Sequence, residues 1–523
     1  MYKLLLCWRY LLTRFIALAS VVSVMLGVAT MIVVNAVMLG FVTEMTDRIQ
    51  GILSDVIFES RDPNKGFPHY EWHREEIFRV AGDMIEELTP VVVVPGMLNY
   101  RIFGTGEMVS YHVQIVGIDV LTQGRVSKIA EYLQHPENRR NLSFILHDGG
   151  YDVYGDGGTG PRREAMGHAG WWWRRYRAAQ TRHQQTQFGT AQHSLEFSQH
   201  SERNEGTDRP RNPFQEAGIT PSTVFDPAIQ QHEGIIVGYG VSLGHRDTVT
   251  DPETGKRVVV DHLMLLPGDD VMLSFPAASL PPRFQPASFT VTDLFESKMA
   301  EHDRSMVFVP IRRLQELRGM VDEASGELTI TNILIKAKPG ADINELRDRL
   351  RAAFPWDRYI IKTWRDDQGK LLEAVMTELA MLNVLLFLIM MVAGFGILAI
   401  FYMIVIEKQK DIGILKALGA SSYGVMQIFL YYSLLLGTIG AGFGLALGLL
   451  IVRYIREIAD VLSYFMDRNL FDPEIYSLHG IPTIVDVPTV VYIMVGAILI
   501  AVAAGALPAI RAARVHPVET LRS

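Results

Sequence analysis

LIMMVAGFGILAIFYMIVIEKQKDIGILKALGAS (Leu388–Ser421) contains the decisive change of pattern in this sequence. Up to Ile406 the run carries no charged residue. From Glu407 onward charges interrupt an apolar pattern that keeps helical spacing and stops at a glycine. A membrane-crossing helix needs about 20 mostly apolar residues, and the left half of the stretch supplies the end of one. The right half is too short and too charged to cross. It reads as a separate helix outside the bilayer, because another apolar run follows it. Ile412, Leu415 and Leu418 lie three apart and form an apolar stripe, expected to be exposed in this chain alone and covered by a partner. Glu407 and Asp411 sit in the first turn and Lys416 near the end, the order that the helix dipole favours. Lys408 and Lys410 complete the polar positions. Gly419 supplies the helix stop and Ser421 can cap the helix that follows. The competing reading is a helix lying on the membrane surface. Such helices favour a strongly basic polar face, and the charge here is near balance.

Outward from this stretch, three more apolar runs qualify as spans. The chain of 523 residues is 49% hydrophobic, with a mean hydropathy of +0.16. The segments read as a cytoplasmic N-terminus (1–14), spans at 15–41, 377–406, 423–452 and 487–510, and a loop helix at 407–422. A loop at 453–486 and a tail at 511–523 complete the membrane part, and a large extracytoplasmic domain fills 42–376. The fold class is thus integral membrane α-helical, with four transmembrane helices and an α+β domain inserted between the first and second. The first span is too long for a signal peptide's apolar core of about 7–15 residues and lacks a cleavage site. Lys3, Arg9 and Arg14, then Lys408, Lys410 and Lys416, then Arg511, Arg514 and Arg522 place both termini and the loop helix in the cytoplasm. Gly440, Gly444 and Gly448 recur every four residues on one face, as a helix-packing seam requires; glycine is also simply common in membrane helices. No span has an ionisable residue in its middle, which argues against an ion-coupled pump. Cys7 is the single cysteine, so no intrachain disulfide can form. Leu6 is the wrong residue to precede a lipidated cysteine.

The inserted domain reads as strands and short helices. VVVVPGMLNY (Val91–Tyr100), VSYHVQIVGID (Val109–Asp119) and SMVFVPI are β-branched runs; IRRLQELRGM and INELRDRLRAAF have helical periods. Residues 151–213 are rich in Gly, Gln, Arg and His and read as a low-complexity, loosely ordered insertion. Within it, Trp171–Trp173 followed by RRYR is either a surface patch or a local aromatic cluster. The spacing of His168, His183, His193 and His200 fits no compact metal site, and no metal is assigned. FPAASLPPRFQPASF (Phe275–Phe289) has strands on both sides and prolines that forbid regular structure at its centre. Leu280, Pro281, Pro282, Arg283 and Phe284 form either a projecting docking hairpin or a plain connection. Asp269–Asp270 and Asp366–Asp367 read as solvated turn acids with no acid–base role. The sequence contains no G-x-x-x-x-G-K-[ST], H-E-x-x-H or G-x-S-x-G motif, so no catalytic residue is assigned and the chain reads as a non-enzyme. A net charge of −8 offers no reason to expect nucleic acid.

The order of spans and the opening stretch resemble the FtsX-like ABC-transporter permeases with a MacB-like periplasmic core. GTIGAGFGLALG is similar to that family's glycine-rich third helix, and LPAIRAARVHPVETLRS to its C-terminal end. RYLLTRFIALASVVSVMLGVATMIVVNAVMLGF and FDPEIYSLHGIPTIVDVPTVV (Phe471–Val491) resemble in particular the lipoprotein-releasing branch. Residues 151–213 and HRDTVTDPETGKRVVVDH (His245–His262) depart from the pattern. The resemblance implies a bacterial inner-membrane location. It makes the loop helix a coupling helix seated on a cytoplasmic ABC ATPase dimer, with ATP and magnesium bound there and no cofactor in this chain. It implies a second permease chain, self or sister, and a periplasmic lipoprotein carrier docking at the hairpin. Lipoprotein release is the leading expectation. Export of a peptide, toxin or lipid, and a signalling subunit that activates an external enzyme, are the alternatives.

Overall fold

The computed structural model describes residues 15–52, 54–155, 160–182, 225–250, 257–279, 283–322, 325–466 and 481–514. Its principal elements, in chain order, are α1 (Phe15–Ile52), β1 (Val56–Ser60), α2 (Tyr70–Ala81), β2 (Ile85–Arg101), β3 (Met108–Ile118), α3 (171–182), β4 (Glu233–Gly238), β5 (Leu243–Thr250) and β6 (Arg257–Leu263). Then come β7 (Asp270–Pro276), β8 (Phe284–Phe295), β9 (Met306–Pro310), α4 (Ile311–Arg318), β10 (Asn332–Ala337), α5 (Ile343–Ala353) and β11 (Tyr359–Thr363). The chain ends with α6 (Trp364–Glu407), α7 (Gln409–Ala417), α8 (Ser422–Arg453), α9 (Ile455–Met466) and α10 (Val487–Ala513). Two compact units result: Arg48–Asp367, and Met1–Asp47 together with Gln368–Ser523.

In the α+β unit one long strand organises everything. β2 runs for 17 residues, about three times an ordinary strand. Its first half pairs with β10, its second half with β7, and most of its length with β3. The nine-stranded sheet has the order β11-β1-β10-β2-β3-β9-β4-β8-β7, and the return of β7 to β2 closes its last six strands into a ring. Side chains alternate across a strand, so Val92, Val94, Leu98 and Tyr100 of β2 all enter the ring interior. They meet Val113, Ile115, Leu273, Phe275, Phe289 and Val291 there. The other end of the sheet packs against helices. Phe58 and Ile361 share a buried cluster with Ile77 of α2 and with Leu346 and Leu350 of α5. The Asp342 carboxylate caps α5 by accepting from the N–H groups of Asn344 and Glu345.

Here the structure corrects the compositional reading of residues 151–213: 160–182 are folded into this unit. Arg163 is 0% exposed. It donates to Gln134 Oε1 at 2.7 Å and to Glu296 Oε2 at 2.6 Å, and lies over the Tyr239 ring at 4.2 Å. In α3 the indole N–H of Trp173 donates to Asp269 at 2.7 Å, and Arg174 is buried on the carbonyls of Gln230 and Gly268 and on Asp270. Asp269 is therefore not a solvated turn acid. It is buried and also paired with Arg177. Trp172 stays exposed and stacks on Tyr176. His183, His193 and His200 lie outside the described residues, and His168 rests against Trp172.

Among the described residues, the other unit contains four helices long and apolar enough to cross a membrane: Ala19–Asp47, Glu373–Glu407, Ser422–Arg453 and Val487–Ala513. Small residues let them approach closely. A Cβ at Gly440 would meet Val24 at 2.8 Å, at Gly444 Val28 at 2.7 Å and at Gly448 Ile32 at 3.1 Å. The glycine face of α8 therefore packs on α1. A second seam joins α8 to α10, where Gly437 faces Ala501, and Ile493, Ala497, Ala501, Gly505, Ala509 and Ala512 form the buried stripe of α10. Phe401 of α6 and Tyr432 of α8 fill the space between, their rings 5.2 Å apart.

Candidate functional site

α7 is a helix of nine residues with a defined end on each side. α6 terminates at Glu407 and the chain turns at Lys408, so Glu407 belongs to the long apolar helix and not to the loop helix. Lys408 Nζ donates to Asp411 at 2.6 Å. At the far end Gly419 takes φ +98°, a left-handed conformation that costs a side-chain-bearing residue strain. This allows the Gly419 N–H to donate to Lys416 O at 3.1 Å and the Ala420 N–H to Leu415 O at 3.0 Å. These two bonds satisfy carbonyls that a helix end leaves open. Two residues later the Ser421 hydroxyl accepts from the Gly424 N–H at 3.1 Å and starts α8. The turn between α7 and α8 is thus determined by hydrogen bonds at both ends.

The apolar stripe differs from expectation. Ile412 is 3% exposed and belongs to the bundle core with Val425, Phe429, Ala509 and Ala512. Leu415 is 41% exposed and Leu418 81% exposed. The reason is helical geometry. Residues three apart drift by about 60° at about 100° per residue, so Leu418 stands roughly 120° from Ile412. One end of the stripe turns into the protein and the other out. Ile414, which the spacing argument omitted, shares the outer arc and is also exposed. Lys410 and Asp411 are exposed beside it.

A tether invisible in the sequence pattern holds α7 in place. Lys416 Nζ donates to Ala513 O at 2.8 Å. Ala513 is the last residue of α10, where carbonyls lack helical partners and the dipole attracts a cation. Arg511 lies over the Tyr402 ring of α6 at 4.9 Å. A buried isoleucine, a lysine at a helix C-terminus and a capped turn therefore bind α7 to α8 and α10.

The proline-rich connection lies between β7 and β8, whose ladder runs to the pair Pro276–Phe284. The Ala277 N–H donates to Arg283 O at 2.9 Å and closes the hairpin. Arg283 is exposed and Phe284 is 72% exposed; Leu280, Pro281 and Pro282 lie outside the described residues. Pro276 and Pro286 are accommodated within β7 and β8. Two groups with metal-ligand chemistry occur among the described residues, His135–Glu137–His147 and His245–Asp247–His262. In the first, the His135 ring is already engaged. Its Nε2 lies 2.8 Å from Gly149 O and its Nδ1 accepts the Glu137 N–H at 3.2 Å.

Long apolar helices joined by a capped loop helix, with a large α+β unit in the chain between the first and second, define a multi-span membrane protein. Residues 383–517 match the FtsX-like permease C-terminal family, and the chain accordingly carries an FtsX-like permease domain. It is 30% identical over 234 residues to the lipoprotein-releasing system transmembrane protein LolC of Xylella fastidiosa, a match covering 45% of this chain and 55% of that protein. The chain thus spans about half the length of that relative. It is 27% identical over 302 residues to LolC of Neisseria meningitidis, covering 58% of this chain and 68% of the relative. It is also 27% identical over 207 residues to the macrolide export ATP-binding/permease protein MacB of Bdellovibrio bacteriovorus, covering 38% and 29%.

Proposed function

We propose that this chain is the transmembrane subunit of an ATP-driven transporter that works by mechanotransmission, releasing lipoproteins from the bacterial inner membrane to a periplasmic carrier. The observation that carries this reading is α7. It is anchored to α8 and α10 through Ile412 and Lys416, and it leaves Ile414, Leu415 and Leu418 exposed. Exposed apolar side chains on an anchored cytoplasmic helix suit a groove on a separate ATPase dimer, since the sequence contains no P-loop of its own. The likeness to the two LolC proteins supports lipoprotein as cargo. Both termini then lie in the cytoplasm, and a second permease chain, self or sister, completes the membrane part. ATP and magnesium bind in the ATPase, and the carrier meets the hairpin at Leu280–Phe284.

Affinity purification from native membranes followed by mass spectrometry is expected to recover an ABC ATPase, a permease chain and lipoprotein. The double variant Leu415→Asp, Leu418→Asp should lose the ATPase and abolish ATP-dependent release from proteoliposomes; release at the unaltered rate would overturn the reading. The likeness to MacB favours a second reading, export of a peptide, toxin or lipid by the same movement. Cargo other than lipoprotein in the purified complex would select it.

A further inference from the structure

α9 follows α8 with a single residue between them. Tyr454 takes φ −105° and ψ 22°, outside the helical values, and so interrupts the helix. The Tyr454 N–H still donates to Leu450 O at 3.1 Å and the Ile458 N–H to Tyr454 O at 3.0 Å, so the break is hydrogen-bonded on both sides. α8 begins beside α7, and α9 therefore stands at the opposite end of this span. The 32 residues of α8 make about 48 Å of helix at about 1.5 Å per residue. A bilayer with its headgroups is about 40–45 Å thick. Arg453 thus reaches the level of the headgroups, and α9 starts there.

The sequence of α9, IREIADVLSYFM, separates apolar from charged positions. With Ile455 taken as the origin and about 100° per residue, Val461, Ile458 and Leu462 fall at about 240°, 300° and 340°. Arg456, Asp460 and Glu457 fall at about 100°, 140° and 200°. The apolar arc is therefore about 120° wide, enough for a buried helix face, and no charged position enters it. α7 differs, because there Asp411 falls between Leu415 and Leu418. Yet the apolar face of α9 is uncovered. Ile455 is half-buried, and Ile458, Val461 and Leu462 are exposed. So is Tyr454, an aromatic side chain of the kind that settles at the headgroup level.

We propose that α9 lies flat in the membrane surface at this end of α8, with Ile455, Ile458, Val461 and Leu462 turned into the lipid and Arg456 and Glu457 toward water. Its place selects the lipid as occupant. The one-residue link to α8 fixes the apolar face beside the bilayer surface, whatever protein partners are present. An upright helix would keep these apolar side chains in water; lying flat removes their area from it, and the break at Tyr454 makes that orientation available. Arg456 is set against Glu457 and Asp460, so the polar face carries no net positive charge. Attraction to anionic headgroups therefore does not hold the helix, and apolar burial does. The inference requires only that α8 spans the membrane and is independent of what the protein transports.

The test uses the full chain in nanodiscs of phosphatidylcholine and phosphatidylglycerol. Cys7→Ser removes the native thiol, and Ile458→Cys, Leu462→Cys or Glu457→Cys each provides a single site for a spin label. Collision rates with oxygen, which partitions into lipid, and with a water-soluble nickel chelate give the depth of each label. Labels replacing Ile458 and Leu462 should sit about 5–10 Å below the headgroup level. The label replacing Glu457 should lie in water, and none of the three should move when the salt concentration is raised. Equal access of the nickel chelate to all three labels would overturn the proposal. So would dipolar broadening of the Ile458 or Leu462 label that disappears on dilution with unlabelled chain, because a second copy would then cover this face.

Discussion

Two short helices mix apolar and charged side chains, and they resolve that mixture in opposite ways. α3 turns two of its four arginines inward: Arg174 is buried on carbonyls and Asp270, and the partly buried Arg177 pairs with Asp269, while Arg175 and Arg182 stay exposed. α7 turns Ile412 inward and keeps Lys410, Asp411, Leu415 and Leu418 outside. The difference lies in what each helix packs against. α3 meets a turn and a strand that supply carboxylates and carbonyls, so Arg174 can be buried against Asp270 and the carbonyls of Gln230 and Gly268. α7 meets an apolar bundle, which accepts an isoleucine and one lysine at a helix C-terminus. A charged segment is a surface feature only when no complementary acids lie across from it.

The comparison can be broken most severely at its inward-facing residues. Ile412→Asp places an unpaired charge in the bundle core and should destabilise it by about 3–5 kcal/mol, seen as loss of monodisperse protein in detergent. Leu415→Asp with Leu418→Asp should leave the elution profile unchanged and remove coupling alone. Arg163→Ala strands the Glu296 carboxylate and should cost a similar amount, about 3–5 kcal/mol, read from thermal unfolding of the full chain. Gly444→Leu must displace Val28 and the Met25 carbonyl and should cost about 1–3 kcal/mol, visible as a lower melting temperature in detergent.

Smaller effects sharpen the same contrast. Burial pushes the Asp303 carboxyl up to about 7. A group raised in the folded state contributes stability that is fully present below its unfolded value, about 3.9, and is lost as pH rises through the folded one. Asp303→Asn should therefore flatten the decline in melting temperature between about pH 4 and pH 7; an unchanged slope would show that this carboxyl titrates normally. Trp172→Ala, on the outward face of α3, should change stability by no more than about 0.5 kcal/mol. A larger loss would mean that the exposed Trp172–Tyr176 stack bears on the fold.

What was legible in the sequence is what local pattern controls. The apolar runs, the stop at Gly419, the cap at Ser421 and the close-packing face at Gly440, Gly444 and Gly448 depend on residues within a few positions of one another. The loop helix is legible as a helix, and the spacing picks out Ile412, Leu415 and Leu418 but not Ile414. Their division into inside and outside was not, because a three-residue repeat drifts around a helix and only the neighbouring α8 and α10 say where the boundary falls. The order of residues 160–182 was hidden for the same reason. Composition rich in Arg, Gly and His reads as solvated until Glu296, Asp269 and Asp270 are brought alongside from about a hundred residues away. His245 and His262 likewise meet only because two strands pair in one register. The long apolar helices, the capped loop helix and the mixed α+β insertion follow from local pattern, since hydrophobic period and turn chemistry act over a few residues. The ring closed on β2, the buried arginines and the stacking of His245 on His262 depend instead on tertiary contacts. Burial and charge pairing are set by partners distant in the chain.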